Sequence, residues 1–306
     1  MLHLIGVAAA VAISFSAIFI RLADVSVSTA AFFRPAYALP LILLLYLTSR
    51  RFDTRSVRER WATLFAGGLM GVSFTLWNYS IAYVGAGLAT VLGNTQVVFV
   101  GLFAWWVFRE RPPAASALAV PLVLGGVVLA TGIGRADAYG VAPVLGVLFG
   151  LGNALAYASF LLLFRRVGRG LARPWGPLLD AALGAALVAL ALGVATDPGF
   201  DLRPIWPAHG WLLALAILAQ TLAWGAILTV LPRLPALDTS VVLLVQPVLT
   251  VVWGALLFTE RPSPLQWAGV AAVLVGVAVV VIAGAWPGSR SRRGRAVATP
   301  ARASDL

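Results

Sequence analysis

The chain contains no cysteine and no lysine, only two histidines, and eleven acidic residues among 306. Without cysteine there is no disulfide framework and no thiolate metal site, while the compartment stays open. His3 and His209 stand near helix starts without a partnered serine or carboxylate, so no catalytic set is visible and no cofactor is expected. No Walker loop or nucleotide domain is present, which excludes an ATP-driven pump on this chain alone. The alternating pattern of a membrane β-barrel is also missing. Charged residues make up 11% of the chain, too few to give a soluble domain of this size a wettable exterior.

What is present is apolar: 61% of residues are hydrophobic, and the mean hydropathy is +0.95. A bilayer asks for runs of about 20 apolar residues per helix. Ten such runs fall near 2–22, 27–49, 61–83, 85–108, 113–133, 139–164, 174–196, 207–230, 236–258 and 264–286. The third and fourth are nearly fused and are divided at Val84-Gly85-Ala86-Gly87, where glycine permits a tight turn. The first run is long and lacks a basic start, so it is expected to be a true span rather than a cleaved leader.

All 22 basic residues are arginine. With the N-terminus placed in the cytoplasm, 17 arginines fall on the inner side, at positions 50–60, 109–111, 165–173, 233 and 290–302. Four, Arg21, Arg135, Arg203 and Arg261, fall outside. That asymmetry predicts two cytoplasmic termini. The net charge of +11 is therefore orientation chemistry. The arginines are scattered over loops, which argues against a nucleic-acid partner.

The chain also repeats itself. VFRERPPAASALAVPLVLGGV at 107–127 aligns without a gap on LFTERPSPLQWAGVAAVLVGV at 257–277, and Gln96 aligns on Gln246. The offset spans five helices, an odd number, so the copies have opposite orientations in the membrane. The expected architecture is an all-α integral membrane protein with ten transmembrane helices in two inverted five-helix repeats. The repeats cover 1–133 and 139–286, and 287–306 form a basic cytoplasmic tail. Inverted repeats recur in secondary transporters, where one half rocks against the other around a central site.

The duplicated unit, Glu110-Arg111-Pro112 and Glu260-Arg261-Pro262 after helices 4 and 9, Phe32-x-Arg34-Pro35 in helix 2, and Tyr83-Val84-Gly85-Ala86-Gly87-Leu88-Ala89 together resemble the drug/metabolite transporter superfamily. Within it the chain is most similar to EamA-type exporters, over residues 1 to about 286. One departure is Gln96-Val97 in the first half against Gln246-Pro247 in the second. The resemblance implies a multi-pass protein of the bacterial inner membrane, and most nearly an exporter of aromatic or other neutral amino acids. Members of related families move lipids, so the alternative function is a lipid or lipid-linked metabolite flippase of the same superfamily.

Polar groups inside a bilayer are expensive and usually face the protein interior or a water-filled cavity. The candidates for substrate contact are Asn78, Tyr79, Asn94, Gln96, Asn153, Tyr157, Gln220, Trp224 and Gln246, with Ser14 and Ser16 beside them. Tyr79–Tyr83, Asn153–Tyr157 and Gln220–Trp224 are each four apart and so share a helix face. Amides beside rings suit a neutral or zwitterionic small molecule. The bland alternative is that the amides bond between helices and the aromatics form interfacial belts, and Tyr83 fits a belt. Pro247 is the expected hinge. Arg34, Glu110 and Glu260 are assigned structural roles, with Arg34 close enough to the helix end to snorkel outward. No cation is then expected deep in the cavity, and the absence of a carboxylate relay points to uniport. The expected partners are a small-molecule substrate and membrane lipids, with the protein acting as a monomer.

Overall fold

The computed structural model describes residues 2–108, 114–130, 138–167, 173–230 and 236–285, and these are helical apart from short connections. The helices are α1 (Leu2–Ser14), α2 (Ser16–Ala23), α3 (Val27–Ser49), α4 (Val57–Gly93), α5 (Gln96–Phe108) and α6 (Ala114–Ala130) in the first half. The second half carries α7 (Pro143–Val167), α8 (Trp175–Thr196), α9 (Ala208–Ala214), a π-helical stretch (Leu215–Ala223), α10 (Trp224–Val230), α11 (Ala236–Phe258) and α12 (Pro264–Ala285). Helix covers the described residues of the ten apolar runs except for breaks at Phe15 and Asn94–Thr95 and one to four residues of loop at the starts of the sixth, seventh and eighth. Among the described residues, six segments are long and apolar enough to cross a membrane, and α6, α11 and α12 contribute further apolar helix. Large apolar side chains such as Leu4, Trp106 and Leu256 point outward, as a lipid-facing surface requires.

One of the six, Val57–Phe103, has 47 residues, more than twice the length of a crossing. It does not run straight. Gly85 takes φ 82 and ψ 173, a conformation closed to residues with a Cβ, and breaks α4 into a hairpin. Asn153 shows the reversal. Its Oδ1 accepts from Ser73 Oγ at 2.6 Å, and its Nδ2 lies 2.9 Å from where a Cβ on Gly93 would sit. In an unbroken helix residues 73 and 93 would be about 30 Å apart.

Packing between α4 and α8 depends on small residues. Gly67 and Gly71 meet the backbone of Ala181 and Ala185, and Gly184 meets the carbonyl of Leu64. Glycines let helix backbones touch, which supplies dispersion contact where lipid gives no hydrophobic drive. The same device joins α6 to α12 through Gly126 and Gly269.

Loops collect at the two ends. At one end Ser28 N–H donates to Asp197 at 3.1 Å, and Gln266 Oε1 accepts from Tyr139 N–H at 2.7 Å. At the other, Arg55 pairs with Asp53 and with Asp180 of α8, both at 2.8 Å. The hydrogen bond from Arg55 holds the Asp53 carboxyl below its ordinary pKa, against the opposing effect of partial burial. A depressed carboxyl pKa stabilises the fold above the unfolded value, near 4, and that contribution is lost as pH falls through the folded value. The melting-temperature advantage of wild type over Asp53→Asn is therefore expected to be full near neutral pH and to shrink below about pH 4. An advantage that persists at pH 3 would contradict this, as measured by thermal denaturation in detergent across pH.

Candidate functional site

A cavity of about 360 Å³ lies between the two halves, lined by residues from α1, α2, α3, α4, α5, α7, α10, α11 and α12. Its size falls within the range of small-ligand sites. The helices are irregular where they reach it. α1 and α2 part at Phe15, beside Ser16; α4 ends at Gly93, and Asn94 and Thr95 form a turn before α5. The chain before Trp224 is π-helical, with Thr221 Oγ1 donating to the carbonyl of Ala216 five residues back, at 2.9 Å. In α11, Pro247 comes directly after Gln246. Non-helical backbone at membrane depth is tolerated where it is buried or faces a water-filled space.

Of the nine residues proposed from the sequence, six line this cavity: Asn94, Gln96, Asn153, Tyr157, Trp224 and Gln246. The other three lie elsewhere. Asn78 is buried and donates from Nδ2 to the carbonyl of Val27 at 3.0 Å, tying α4 to the start of α3. Tyr79 stacks on Phe149 with ring centres 5.0 Å apart, and Tyr83 stacks on the same ring at 5.7 Å. Gln220 is fully buried and accepts from Arg34 Nε at 2.9 Å. Gln220 lies within the π-helical stretch, whereas Trp224 begins α10 just after it. Ser14 links helices too: its Oγ accepts from Trp253 Nε1 at 3.0 Å.

Arg34 corrects the sequence expectation most sharply. It does not snorkel; it is 5% exposed and faces the cavity. Its guanidinium lies over the Phe74 ring at 4.1 Å and near Trp77 at 5.5 Å. With those faces and Gln220 to hold it, the side chain has no need to reach the surface. The cavity therefore contains a deep cation, where none was expected. Ser73, Phe74, Trp77 and Thr90 also line it and were missed. A charge interrupting an apolar run was the signal for Arg34; for the others, helix rotation alone decides which face looks inward.

The structural role expected of Glu260 has a definite geometry. Its carboxylate is buried and accepts from Arg21 Nη1 at 2.6 Å, from Ala86 N–H at 2.6 Å and from Gly87 N–H at 3.0 Å. It thus caps the helix that restarts after Gly85, satisfying free N–H groups with a negative charge at the positive end of the helix dipole. Glu110, its counterpart in the repeat, lies outside the described residues. Among the described residues no group of three or more His, Cys, Asp or Glu side chains is placed to hold a metal.

Comparison with known proteins bears on this architecture. A profile of the EamA-like transporter family matches residues 1–132 and 144–282. The chain is 21% identical over 241 residues to the uncharacterised transporter YvbV of Bacillus subtilis, covering 78% of each chain. It is 26% identical over 234 residues to an uncharacterised transporter of Archaeoglobus fulgidus, covering 73% of this chain and 80% of that one. A solved crystal structure, 18% identical, has the same fold with a TM-score of 0.57, over 91% of this chain and 95% of its own.

Proposed function

Because the chain belongs to the EamA-like transporter family, and is thus a multi-pass transporter of the cell membrane, we propose that it exports small neutral or aromatic amino acids by alternating access. The observation that carries this is the cavity between the halves, where the amides of Asn94, Gln96, Asn153 and Gln246 stand beside the rings of Tyr157 and Trp224. Amides complement the polar groups of such a substrate, and the rings its side chain.

The two repeats are proposed to act as inverted halves, residues 1–133 against 139–286, with both termini cytoplasmic and the protein working as a monomer. Mutually related packing supports this. The first helix of the second half, α7, packs on the α4 hairpin and α5; the first helix of the first half, α1, packs on the π-helical stretch, α10 and α11. Pro247 is the proposed hinge, since it has no N–H to give the helix and sits next to a cavity residue. No carboxylate or histidine is among the described lining residues, which favours uniport. A lipid substrate is disfavoured by a second groove, between α11 and α12, whose valines, leucines, alanine and Trp267 offer little to a headgroup.

Uptake into proteoliposomes by a panel of labelled neutral, aromatic and charged amino acids, with and without a proton gradient, tests the proposal. Saturable uptake of neutral or aromatic species without a gradient is expected. No uptake of any amino acid by folded protein would overturn it. Gln96→Ala and Gln246→Ala are expected to reduce flux about tenfold, each losing a hydrogen bond worth roughly 1–1.5 kcal/mol. Tyr79→Ala, away from the cavity, is expected to retain flux once corrected for the amount of folded protein.

A further inference from the structure

Arg34 is buried at 5% exposure, yet its only hydrogen bond among the described residues runs from Nε to Gln220. The ion pairs among the described residues are those of Arg21, Arg55 and Arg60; none involves Arg34. The terminal amino groups of its guanidinium therefore donate to nothing among the described residues, on a side chain that faces an open cavity. Burying a cation without a counter-charge is expensive, and the faces of Phe74 and Trp77 offset only part of that cost. The planar fork left free matches the two oxygens of a carboxylate.

Other groups in the same cavity also lack partners. Gln96 Oε1 and Ser16 Oγ both line it, are buried, and make no hydrogen bond among the described residues. Each can accept a hydrogen bond, as an ammonium group would supply. The aromatic faces of Tyr157 and Trp224 complete the wall.

We propose that Arg34 is the carboxylate anchor of the cavity, gripping the anionic group of a small organic acid through a two-point hydrogen-bonded ion pair. The proposal rests on the transport reading above and names the charge its substrate must carry. Gln220 sets the orientation of the fork by holding Nε, and the aromatic walls receive the rest of the ligand.

The test is ligand-induced thermal stabilisation of the purified full chain, with four probes: L-phenylalanine, 3-phenylpropionate, which lacks the ammonium group, phenethylamine, which lacks the carboxylate, and inorganic phosphate. L-Phenylalanine and 3-phenylpropionate are expected to stabilise wild type at concentrations about tenfold or more below any that phenethylamine requires. Phosphate, without an apolar part, is expected to be weak. Arg34→Gln should abolish the discrimination, and Arg34→Lys, which keeps the charge but loses the fork, should fall between. If Arg34→Gln does not fold, the comparison of L-phenylalanine with phenethylamine on wild type decides alone. Stabilisation by 3-phenylpropionate but not by L-phenylalanine, lost in Arg34→Gln, would uphold the anchor and sink the amino-acid reading. Equal stabilisation by phenethylamine, persistence of the carboxylate effect in Arg34→Gln, or no effect of any probe would overturn the anchor.

Discussion

Gly184→Leu is expected to leave almost no folded protein in the membrane. A Cβ at this position would collide with the carbonyl oxygen of Leu64 and lie 3.0 Å from the backbone nitrogen of Gly68. Both obstacles are backbone, so no rotamer change relieves them; α4 and α8 must separate. Separation would also break the contacts of Gly67 and Gly71 with the backbone of Ala181 and Ala185. Overpacking a core costs about 1–3 kcal/mol when side chains can adjust, and here they cannot, so the cost is expected to exceed about 3 kcal/mol. That is a large share of a fold's marginal stability. Gly125→Ala supplies the control, since nothing lies within 4 Å of its ideal Cβ and alanine favours helix. Size-exclusion profiles of detergent extracts should show a normal monodisperse peak for Gly125→Ala and little or none for Gly184→Leu. A normal peak for Gly184→Leu would mean that the helices do not meet as described.

Loss of the Glu260 carboxylate is expected to be nearly as damaging. Glu260→Ala removes one carboxylate that serves three donors on two other segments: Arg21 at 2.6 Å, Ala86 N–H at 2.6 Å and Gly87 N–H at 3.0 Å. Breaking a buried ion pair by deleting one partner costs about 3–5 kcal/mol. The Arg21 side chain is 31% exposed and stays partly solvated, so the lower end, about 3 kcal/mol, is expected. Glu260→Gln keeps an acceptor for one N–H and should lose less. Thermal melts in detergent should rank wild type above Glu260→Gln above Glu260→Ala. Arg21→Ala combined with Glu260→Ala should lose less than the sum of the two single losses. Additive losses would show that the pair is uncoupled.

The glutamate could be singled out from sequence because charge, proline and glutamine matched in register across 150 positions of apolar chain. Its cap on residues 86 and 87 could not, because nothing local brings position 260 to the start of that helix. The apolar runs were legible for a simple reason: a bilayer demands about 20 apolar residues per helix, and the runs have that length. Gly85 was legible as a turn because few other residues fit its backbone. The breaks at Phe15 and at Asn94–Thr95, and the π-helical stretch before Trp224, were not. They arise from packing around the cavity, and apolar composition continues through them.

The candidate site divides in the same way. Asn153 and Tyr157 share a face, as four-residue spacing requires, and that face looks into the cavity. Tyr79 and Tyr83 share a face equally well, but theirs is covered by Phe149. Spacing groups residues on a helix; only packing decides what the group faces. Arg34 shows the opposite error. Its distance from the helix end suggested a route to water, while Phe74, Trp77 and Gln220, distant in sequence, hold it inside.

Alternating access requires that one cavity open in turn to both sides of the membrane. Since the chain has no cysteine of its own, Val97→Cys places a single thiol on the cavity wall beside Gln96. Its reaction with a membrane-impermeant maleimide should be followed in oriented vesicles, with reagent added first from one side and then from the other. Labelling from either side, slowed in both cases by the transported substrate, is the predicted result. Labelling from one side only, with and without substrate, would contradict alternating access at this cavity.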